Sequence, residues 1–347
     1  MAQAARIAIV LLNLGAPDRP EAVRPFLFNL FNDAAIIGRP WIARWPLAHF
    51  IAGRRAAAAT KIYETLGGSS PLLANTEAQA RALDGALDGD EVFRVFIAMR
   101  YWHPLSTQTA REVAAWRPDR IVLLPLYPQF STTTTGSSLI AWRRAARAEG
   151  ITAPTASICC YPTAAGLIEA HARLVRGQLE ATGTARVLFS AHGLPERIVA
   201  GGDPYRWQVE RMATAVAEAA RLEDWVVCYQ SQVGPLRWIG PATEDEIRRA
   251  GGEGVPVVVV PIAFVSEHSE TLYELDVLYR GVAESAGVPG YHRVPALGTE
   301  AAFVAALATL AREGAGTEGT VSEVGGRLCP RSCGRCPHGG LPPGEEG

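Results

Sequence analysis

The sequence predicts an α/β fold of two related halves, each a parallel β-sheet flanked by helices, followed by a cysteine-rich tail. Runs of branched residues without a helical period, such as Val257–Pro261, are typical of strands buried on both faces of a parallel sheet. Segments with helical spacing follow these runs. The run at residues 121–131 (IVLLPLYPQFS) also resembles residues 257–266 (VVVVPIAFVS), so the two halves look like repeats of one unit.

The first half is assigned to residues 1–160. Its predicted strands cover residues 6–14, 92–99 and 120–127, and a helix is predicted at 106–117. No glycine pattern of the G-x-G-x-x-G type follows the first strand, so a dinucleotide site is not indicated.

Composition excludes other classes of protein. The chain of 347 residues is 48% hydrophobic, which can supply two cores. A formal charge of −2 gives no electrostatic footprint for DNA or RNA, so we expect no nucleic-acid partner. The start lacks the pattern of a secretory signal, and no uncharged apolar run reaches 18 residues. These features predict a cytoplasmic protein.

Residues 26–51 are rich in aromatic and aliphatic residues, with Arg39 and Arg44 among their few charges. The segment is compatible with helix packing or with an exposed apolar lip that rests on a membrane or covers a greasy ligand. Aromatic side chains beside arginines are what an interface anchor needs, and Trp41, Trp45 and Ile36 are its candidates here.

The second half is assigned to residues 161–312. Strands are predicted at 187–191 and 225–229 in addition to the valine run, and helices at 163–182, 205–222 and 300–312. His192 follows one strand end, and Glu267, His268 and Glu270 follow another. Because parallel sheets bind ligands at the carboxyl ends of their strands, we expect His192 and Glu270 to share a crevice.

A helix is predicted after His268, with Glu270 and Glu274 four residues apart on one face. Two carboxylates at that spacing repel each other, so a metal ion, a substrate proton or a basic side chain should compensate them. In the first half, Arg100 and Tyr101 follow a strand. They suit a flat anionic ligand, although an arginine stacked on a surface ring is an equal alternative.

Residues 313–347 are assigned to a linker and an appended tail. The six cysteines are unevenly placed: Cys159 and Cys160 are adjacent, Cys228 is isolated in a predicted strand, and the other three are clustered in the tail. In a reducing compartment this pattern favours metal ligation over disulfides.

The chain resembles the ferrochelatases, which insert ferrous iron into a porphyrin. The motifs that carry the resemblance span about residues 6–312 and are LLNLGAP, MRYWHP, LYPQFSTTTTGSSL, SAHGLP, YQSQVGPLRWIGPAT and PIAFVSEHSETLYELD. The resemblance implies two Rossmann-like, chelatase-type halves with a porphyrin cleft between them, and it favours the exposed lip at residues 26–51.

The family also implies roles for individual residues. His192 would accept protons from the macrocycle and ligate iron, Glu270 would be its partner, and His268 and Glu274 would complete the catalytic set. The residues expected to contact the porphyrin are Leu14, Arg100, Tyr101, Tyr127 and Phe264. Leu278 stands where family members often have a further acidic residue, so the acidic path is expected to stop at Glu274.

Some ferrochelatases carry a [2Fe–2S] cluster on cysteines near the carboxyl terminus, and a cluster is expected here. Cys329, Cys333 and Cys336 offer three thiolates, and a fourth ligand is needed. Cys159 or Cys160 is the candidate, since alternation along a strand should turn one of them outward. A zinc site on the three tail cysteines and His338 is the competing interpretation.

The expected activity is therefore that of a lyase which inserts Fe²⁺ into protoporphyrin IX in haem biosynthesis. A coproporphyrin enzyme, a cobalt chelatase and a porphyrin or haem carrier without turnover are the alternatives. Peripheral attachment to the inner membrane is expected through the apolar lip. A homodimer is compatible with the sequence, which leaves the oligomeric state open.

Overall fold

The computed structural model describes residues 4–89 and 91–339, which divide into two compact units. The first unit takes in the described parts of residues 1–160, 307–328 and 335–347, and the second comprises residues 161–306 and 329–334. The last eight residues of the predicted tail, 340–347, lie outside the described residues, as do residues 1–3 and 90 of the predicted first half.

The described residues form nine strands: β1 Arg6–Asn13, β2 Val92–Met99, β3 Arg120–Pro125, β4 Thr155–Ile158, β5 Arg186–His192, β6 Trp225–Gln230, β7 Val257–Pro261, β8 Tyr291–Arg293 and β9 Gly319–Val321. They also form eleven α-helices: α1 Val23–Phe31, α2 Trp41–Thr65, α3 Leu72–Ala86, α4 Ser106–Trp116, α5 Ser137–Ala148, α6 Ala165–Thr182, α7 Glu196–Ala200, α8 Tyr205–Ala220, α9 Thr243–Glu253, α10 Arg280–Ser285 and α11 Ala301–Ala315.

The first unit contains a five-stranded parallel sheet in the order β2-β1-β3-β4-β9. Its core lies between strand residues such as Val10 and Leu123 and the helices α4 and α5, which contribute Val113 and Trp142. The central strands β1 and β3 are buried along almost their whole length because helices cover both faces of a parallel sheet, whereas the edge strands β2 and β9 are partly exposed.

The strand β9 corrects the prediction of a structureless linker from residue 313 onward. Residues 319–321 pair with residues 156–158 of β4 and extend the first sheet. Thr320 and Val321 are β-branched, but a three-residue strand is too short to show a period in the sequence. The helix α11 likewise runs to Ala315, three residues beyond its predicted end.

The second unit contains a four-stranded parallel sheet in the order β6-β5-β7-β8. The two sheets share one strand order. In each unit the second strand along the chain forms one edge of the sheet, next to the first strand, and the third and fourth strands lie on the opposite side of the first. Val257 and Val259 of the central strand β7 are fully buried and pack with Leu188, Ile247 and Leu275. The predicted fold class, two parallel sheets flanked by helices, is confirmed.

The segment predicted as a lip, residues 26–51, contains the last six residues of α1 and the first eleven residues of α2. An apolar patch on α2, which we call the α2 patch, exposes Trp41, Ile42, Trp45, Leu47 and Phe50. Phe26 is buried instead, and Ile36 packs against the cluster that contains Tyr101 and Trp102. Ile36 is partly buried there and is less exposed than the two tryptophans, so its role as an anchor stays a prediction. None of the helices in the described part of the chain combines the length and apolar character that a membrane crossing requires.

Candidate active site

The segment after β7 forms a π-helix, Glu270–Tyr279, where an α-helix was predicted. A π-helix closes its hydrogen bonds five residues back, so it is wider than an α-helix and occurs frequently at functional sites. Residues four apart remain close on one side of such a helix. Glu270 begins the first turn and Glu274 lies near the second, both at the carboxyl edge of the second sheet.

His192 and Glu270 meet at this edge. His192 is the last residue of β5, and its Nδ1 lies 2.9 Å from Glu270 Oε2. The two side chains are 38% and 28% exposed, so a substrate can reach them. The predicted proximity of the two residues thus corresponds to a direct hydrogen bond, because β5 and β7 are adjacent parallel strands.

The charges of this pair follow from its surroundings. Burial lowers the pKa of His192, but the Glu270 carboxylate outweighs burial and raises that pKa above its usual value. Burial raises the pKa of Glu270, yet His192 and then His268 reverse this and hold it well below its usual range. Glu270 is therefore an ionised acceptor, and His192 Nδ1 carries the proton between them.

His268 approaches the same carboxylate oxygen from its own segment. Its Nδ1 lies 3.1 Å from the carbonyl oxygen of Ser266, which can only accept, so Nδ1 carries a proton. Its Nε2 then faces Glu270 Oε2 at 3.8 Å. The ring of Phe264 packs against the His268 ring with centroids 4.7 Å apart and fixes its plane. His268 Nε2 is thus held beside the carboxylate of Glu270.

Glu274 is bonded differently from Glu270. Its Oε1 accepts from the Ser231 backbone N–H at 2.7 Å and from the Tyr279 hydroxyl at 3.0 Å. Its Oε2 accepts from the Ser231 hydroxyl at 2.6 Å and from Gln230 Nε2 at 3.2 Å. The carboxylate predicted to continue an acidic path is thus surrounded by donors.

In the first unit, Arg100 and Tyr101 converge on Asp33, a residue that no motif in the sequence singles out. Arg100 Nη2 and the Tyr101 hydroxyl donate to Asp33 Oδ2 at 2.8 and 2.7 Å, and the Ser137 hydroxyl donates to the same oxygen. Tyr101 is fully buried, and its backbone N–H donates to the carbonyl of Leu14. In this structure the cation and the phenol predicted to contact porphyrin are paired with a buried carboxylate.

The Tyr127 hydroxyl is buried in the same unit and lacks a hydrogen-bond partner among the described residues. Burial raises its pKa. The positions of Leu14, Tyr127 and Phe264 are thus defined within their own units, and their contact with porphyrin remains a prediction.

The cysteines differ from the expected arrangement. Cys159 and Cys160 follow the end of β4, so strand alternation does not apply to them, and their sulfur atoms lie 3.5 Å apart. Both are buried with Phe130, which corrects the prediction that one of the two faces outward. Cys228 is a fully buried strand residue, as predicted. Cys329 accepts a hydrogen bond from Gln208 at 3.0 Å.

Thiolates of this kind suit either iron–sulfur or zinc chemistry. Within residues 4–89 and 91–339, however, no three histidine, cysteine or acidic side chains are arranged to hold a metal ion. The [2Fe–2S] cluster and the zinc site with His338 therefore both remain predictions.

The chain is similar to known chelatases along nearly its whole length. The family model for ferrochelatase matches residues 6–315. The ferrochelatase of Caulobacter vibrioides strain NA1000 / CB15N is 56% identical over 343 residues, which cover 96% of this chain and 97% of that protein. The ferrochelatase of Phenylobacterium zucineum strain HLK1 is 55% identical over 338 residues, covering 95% and 97%.

Solved structures support the fold. The sirohydrochlorin chelatase SirB from Bacillus subtilis subspecies spizizenii, in complex with cobalt, matches with a TM-score of 0.52 at 12% identity. The match covers 90% of this chain and 96% of SirB. At this identity the likeness concerns the fold alone.

Proposed function

This chain belongs to the ferrochelatase family and is a metal chelatase of the lyase class, and we propose that its porphyrin is protoporphyrin IX. The family predicted from the motifs is thereby confirmed. In the proposed reaction Fe²⁺ replaces two pyrrole protons, so the products are protohaem and two protons released to solvent. The choice of protoporphyrin rests on the likeness of the sequence segments, with coproporphyrin as the alternative.

The pairing of His192 with Glu270 is the observation that carries the mechanism. Because Nδ1 of His192 is bonded to an ionised carboxylate, Nε2 of the neutral imidazole is the remaining basic position. We assign to Nε2 the acceptance of a pyrrole proton. Glu270 stabilises the resulting imidazolium, which raises the basicity of His192 without Glu270 itself becoming protonated.

The substrate iron is assigned to the carboxylate of Glu270, with the imidazoles of His192 and His268 as its candidate nitrogen ligands. His268 Nε2 lies 3.8 Å from Glu270 Oε2, within reach of a cation bound to that oxygen. Imidazole and carboxylate ligands suit Fe²⁺ and admit Zn²⁺ or Co²⁺ as well. One carboxylate thus orients the proton acceptor and also offers an approach for the metal.

Anaerobic insertion of Fe²⁺ into protoporphyrin tests the role of His192. The reaction is measured by the loss of porphyrin fluorescence, for the wild type and for His192→Ala. We expect turnover in the wild type and a loss of about 100-fold or more in the variant, with porphyrin binding retained. Equal turnover of the two proteins would contradict the role of His192. Tight porphyrin binding without turnover in either protein would contradict the enzymatic function and favour a porphyrin carrier. Competition between protoporphyrin and coproporphyrin in the same assay decides the substrate.

Three further predictions from the sequence remain proposals. A [2Fe–2S] cluster on Cys329, Cys333 and Cys336 with Cys159 or Cys160 is supported by the resemblance and by the thiols alone. Iron and acid-labile sulfide measured per chain would test it. Peripheral membrane attachment is supported by the exposure of the α2 patch. A homodimer also stays a prediction, and light scattering would test it.

A further inference from the structure

Gln230 connects the sheet of the second unit to the π-helix. It is the last residue of β6, is fully buried, and lies in register with His192 of β5. Its side-chain Nε2 donates to the backbone carbonyl of Glu270 at 3.0 Å and to the Glu274 carboxylate at 3.2 Å. A single amide therefore contacts two of the three acidic residues of the π-helix, Glu270 and Glu274.

The orientation of this amide is fixed from its other side. The Ser190 hydroxyl donates to Gln230 Oε1 at 2.9 Å, and Ser190 lies 2.8 Å from the Thr243 hydroxyl. The Thr243 hydroxyl in turn donates to Cys228 Sγ at 3.3 Å, so the network continues to β6. A flipped amide would place its oxygen against two acceptors, so only one orientation satisfies all these groups.

Glu274 is saturated by this arrangement. Four donors, two of them from Ser231, occupy the lone-pair positions of its two oxygens. Ser231 has φ of +62°, a left-handed conformation that is unfavourable for a residue other than glycine. That conformation directs its backbone N–H and its hydroxyl to one carboxylate. No lone pair of Glu274 remains for iron or a proton unless a bond breaks.

We propose that Gln230 is a positioning residue that holds Glu270 against His192, and that Glu274 is the anchor of the π-helix rather than a carrier of protons or iron. The proposal rests on the proposed function, since it concerns the alignment of the same reacting groups. Charge-assisted bonds to Glu274 fix the second turn, and the bond to the Glu270 carbonyl fixes the first.

The variant Gln230→Met tests the positioning role, because methionine has a similar length and no donor. Its matched control is Gln232→Met, since Gln232 donates to the carbonyls of Tyr229 and Ile239 and, among the described residues, makes no hydrogen bond to the π-helix. We expect kcat for Fe²⁺ insertion to fall at least tenfold in Gln230→Met, with KM for Fe²⁺ and Kd for protoporphyrin within twofold of wild type. Gln232→Met should keep kcat within twofold.

Hydrogen exchange provides a measurement that does not depend on turnover. Amides of residues 270–279 should exchange at least tenfold faster in Gln230→Met and at the wild-type rate in Gln232→Met. Equal kcat and equal exchange in the two variants would overturn the positioning role. A wild type that inserts no iron would refute the proposed function instead, while the exchange rates would still decide whether Gln230 holds the π-helix.

The role of Glu274 is tested by Glu274→Gln against Glu274→Leu. The amide oxygen can keep the bonds from Ser231 N–H and Tyr279, and the amide nitrogen can donate to the Ser231 hydroxyl, so only the bond from Gln230 is lost. Leucine keeps none of them. If Glu274 anchors the π-helix, the kcat of Glu274→Leu should be at least tenfold lower than the kcat of Glu274→Gln. Equal losses would mean that the charge of Glu274 takes part in the reaction.

If Gln230→Met does not fold, Ser231→Ala, which removes one bond, should lower kcat about threefold at unchanged KM.

Discussion

Three histidines of the second unit show how one contact decides the chemistry of an imidazole. His171 and His268 each place Nδ1 against a backbone carbonyl, of Leu167 and Ser266, whereas His192 places it against a carboxylate. Burial lowers the pKa of His171 to about 4, and its carbonyl contact offsets this only in part. At His192 the carboxylate reverses the same effect. For His171 and His192, the group that faces Nδ1 thus decides whether the pKa ends below or above its usual value.

The low pKa of His171 predicts a pH dependence of stability. The unfolded chain binds a proton at this position near pH 6.5 and the folded chain only near pH 4, so stability falls as the pH drops between these values. The loss should reach roughly 3 kcal/mol at pH 4 for this group. Urea unfolding of wild type and His171→Asn from pH 8 to pH 4 measures it. Parallel pH profiles of the two proteins would contradict the assignment.

At the scale of the element, Arg293 of β8 holds the segment that carries the site. Its guanidinium makes a two-pronged contact with Asp276 of the π-helix, with both distances 2.7 Å, and contacts Glu267 at 2.9 Å. The Arg293 side chain is 10% exposed, so solvent screens these contacts weakly. Glu267, predicted at the edge of the site, is therefore part of the support rather than of the reacting groups.

Arg293→Met should lower the free energy of unfolding by about 3 kcal/mol, because it leaves two partly buried carboxylates without their cation. The control is Arg280→Met. Arg280 is exposed and donates to the backbone carbonyls of Asp276 and Tyr291 rather than to a carboxylate, so we expect a loss below about 1 kcal/mol. Urea denaturation at pH 7 measures both. Similar losses in the two variants would argue against the support role of Arg293.

The strands could be predicted from the sequence because a buried strand of a parallel sheet appears as a run of consecutive apolar residues. The valine run of β7 is an example, and no knowledge of its tertiary contacts is needed to predict it as a strand. The π-helix was not predictable, since bonds from Gln230, Ser231 and Tyr279 to Glu274 accompany its extra width, and most of these come from another segment. The pairing of Asp33 with Arg100 also joins residues 67 positions apart. Local patterns carry no record of such contacts.

At the scale of the whole molecule, the exposed α2 patch has no assigned role in the reaction of His192 and Glu270. Exposed tryptophans beside apolar residues favour the interface between water and lipid. The Trp41 and Trp45 side chains are 59% and 48% exposed, and Trp45 also packs against His49, which restricts its motion. An ordered aromatic surface loses little side-chain entropy when it enters a membrane.

The double variant Trp41→Ser, Trp45→Ser should therefore bind lipid vesicles at least tenfold more weakly than wild type. Val92→Ser is the control, because Val92 is similarly exposed at 49% but lies outside the α2 patch. Vesicle flotation measures the bound fraction. Equal flotation of the double variant and the wild type would exclude these tryptophans as anchors.

The common strand order of the two sheets has a consequence in terms of descent. Duplication of one half-length unit leaves two copies with the same order, in which β1 corresponds to β5. Asn13 and His192 then stand at equivalent strand ends, and Asn13 donates to Thr76 within its own copy. After such a duplication one copy can keep an uncharged amide that stabilises it, while the other is free to acquire a group that titrates. The two copies can thus come to differ in function through a change at this one strand-end position.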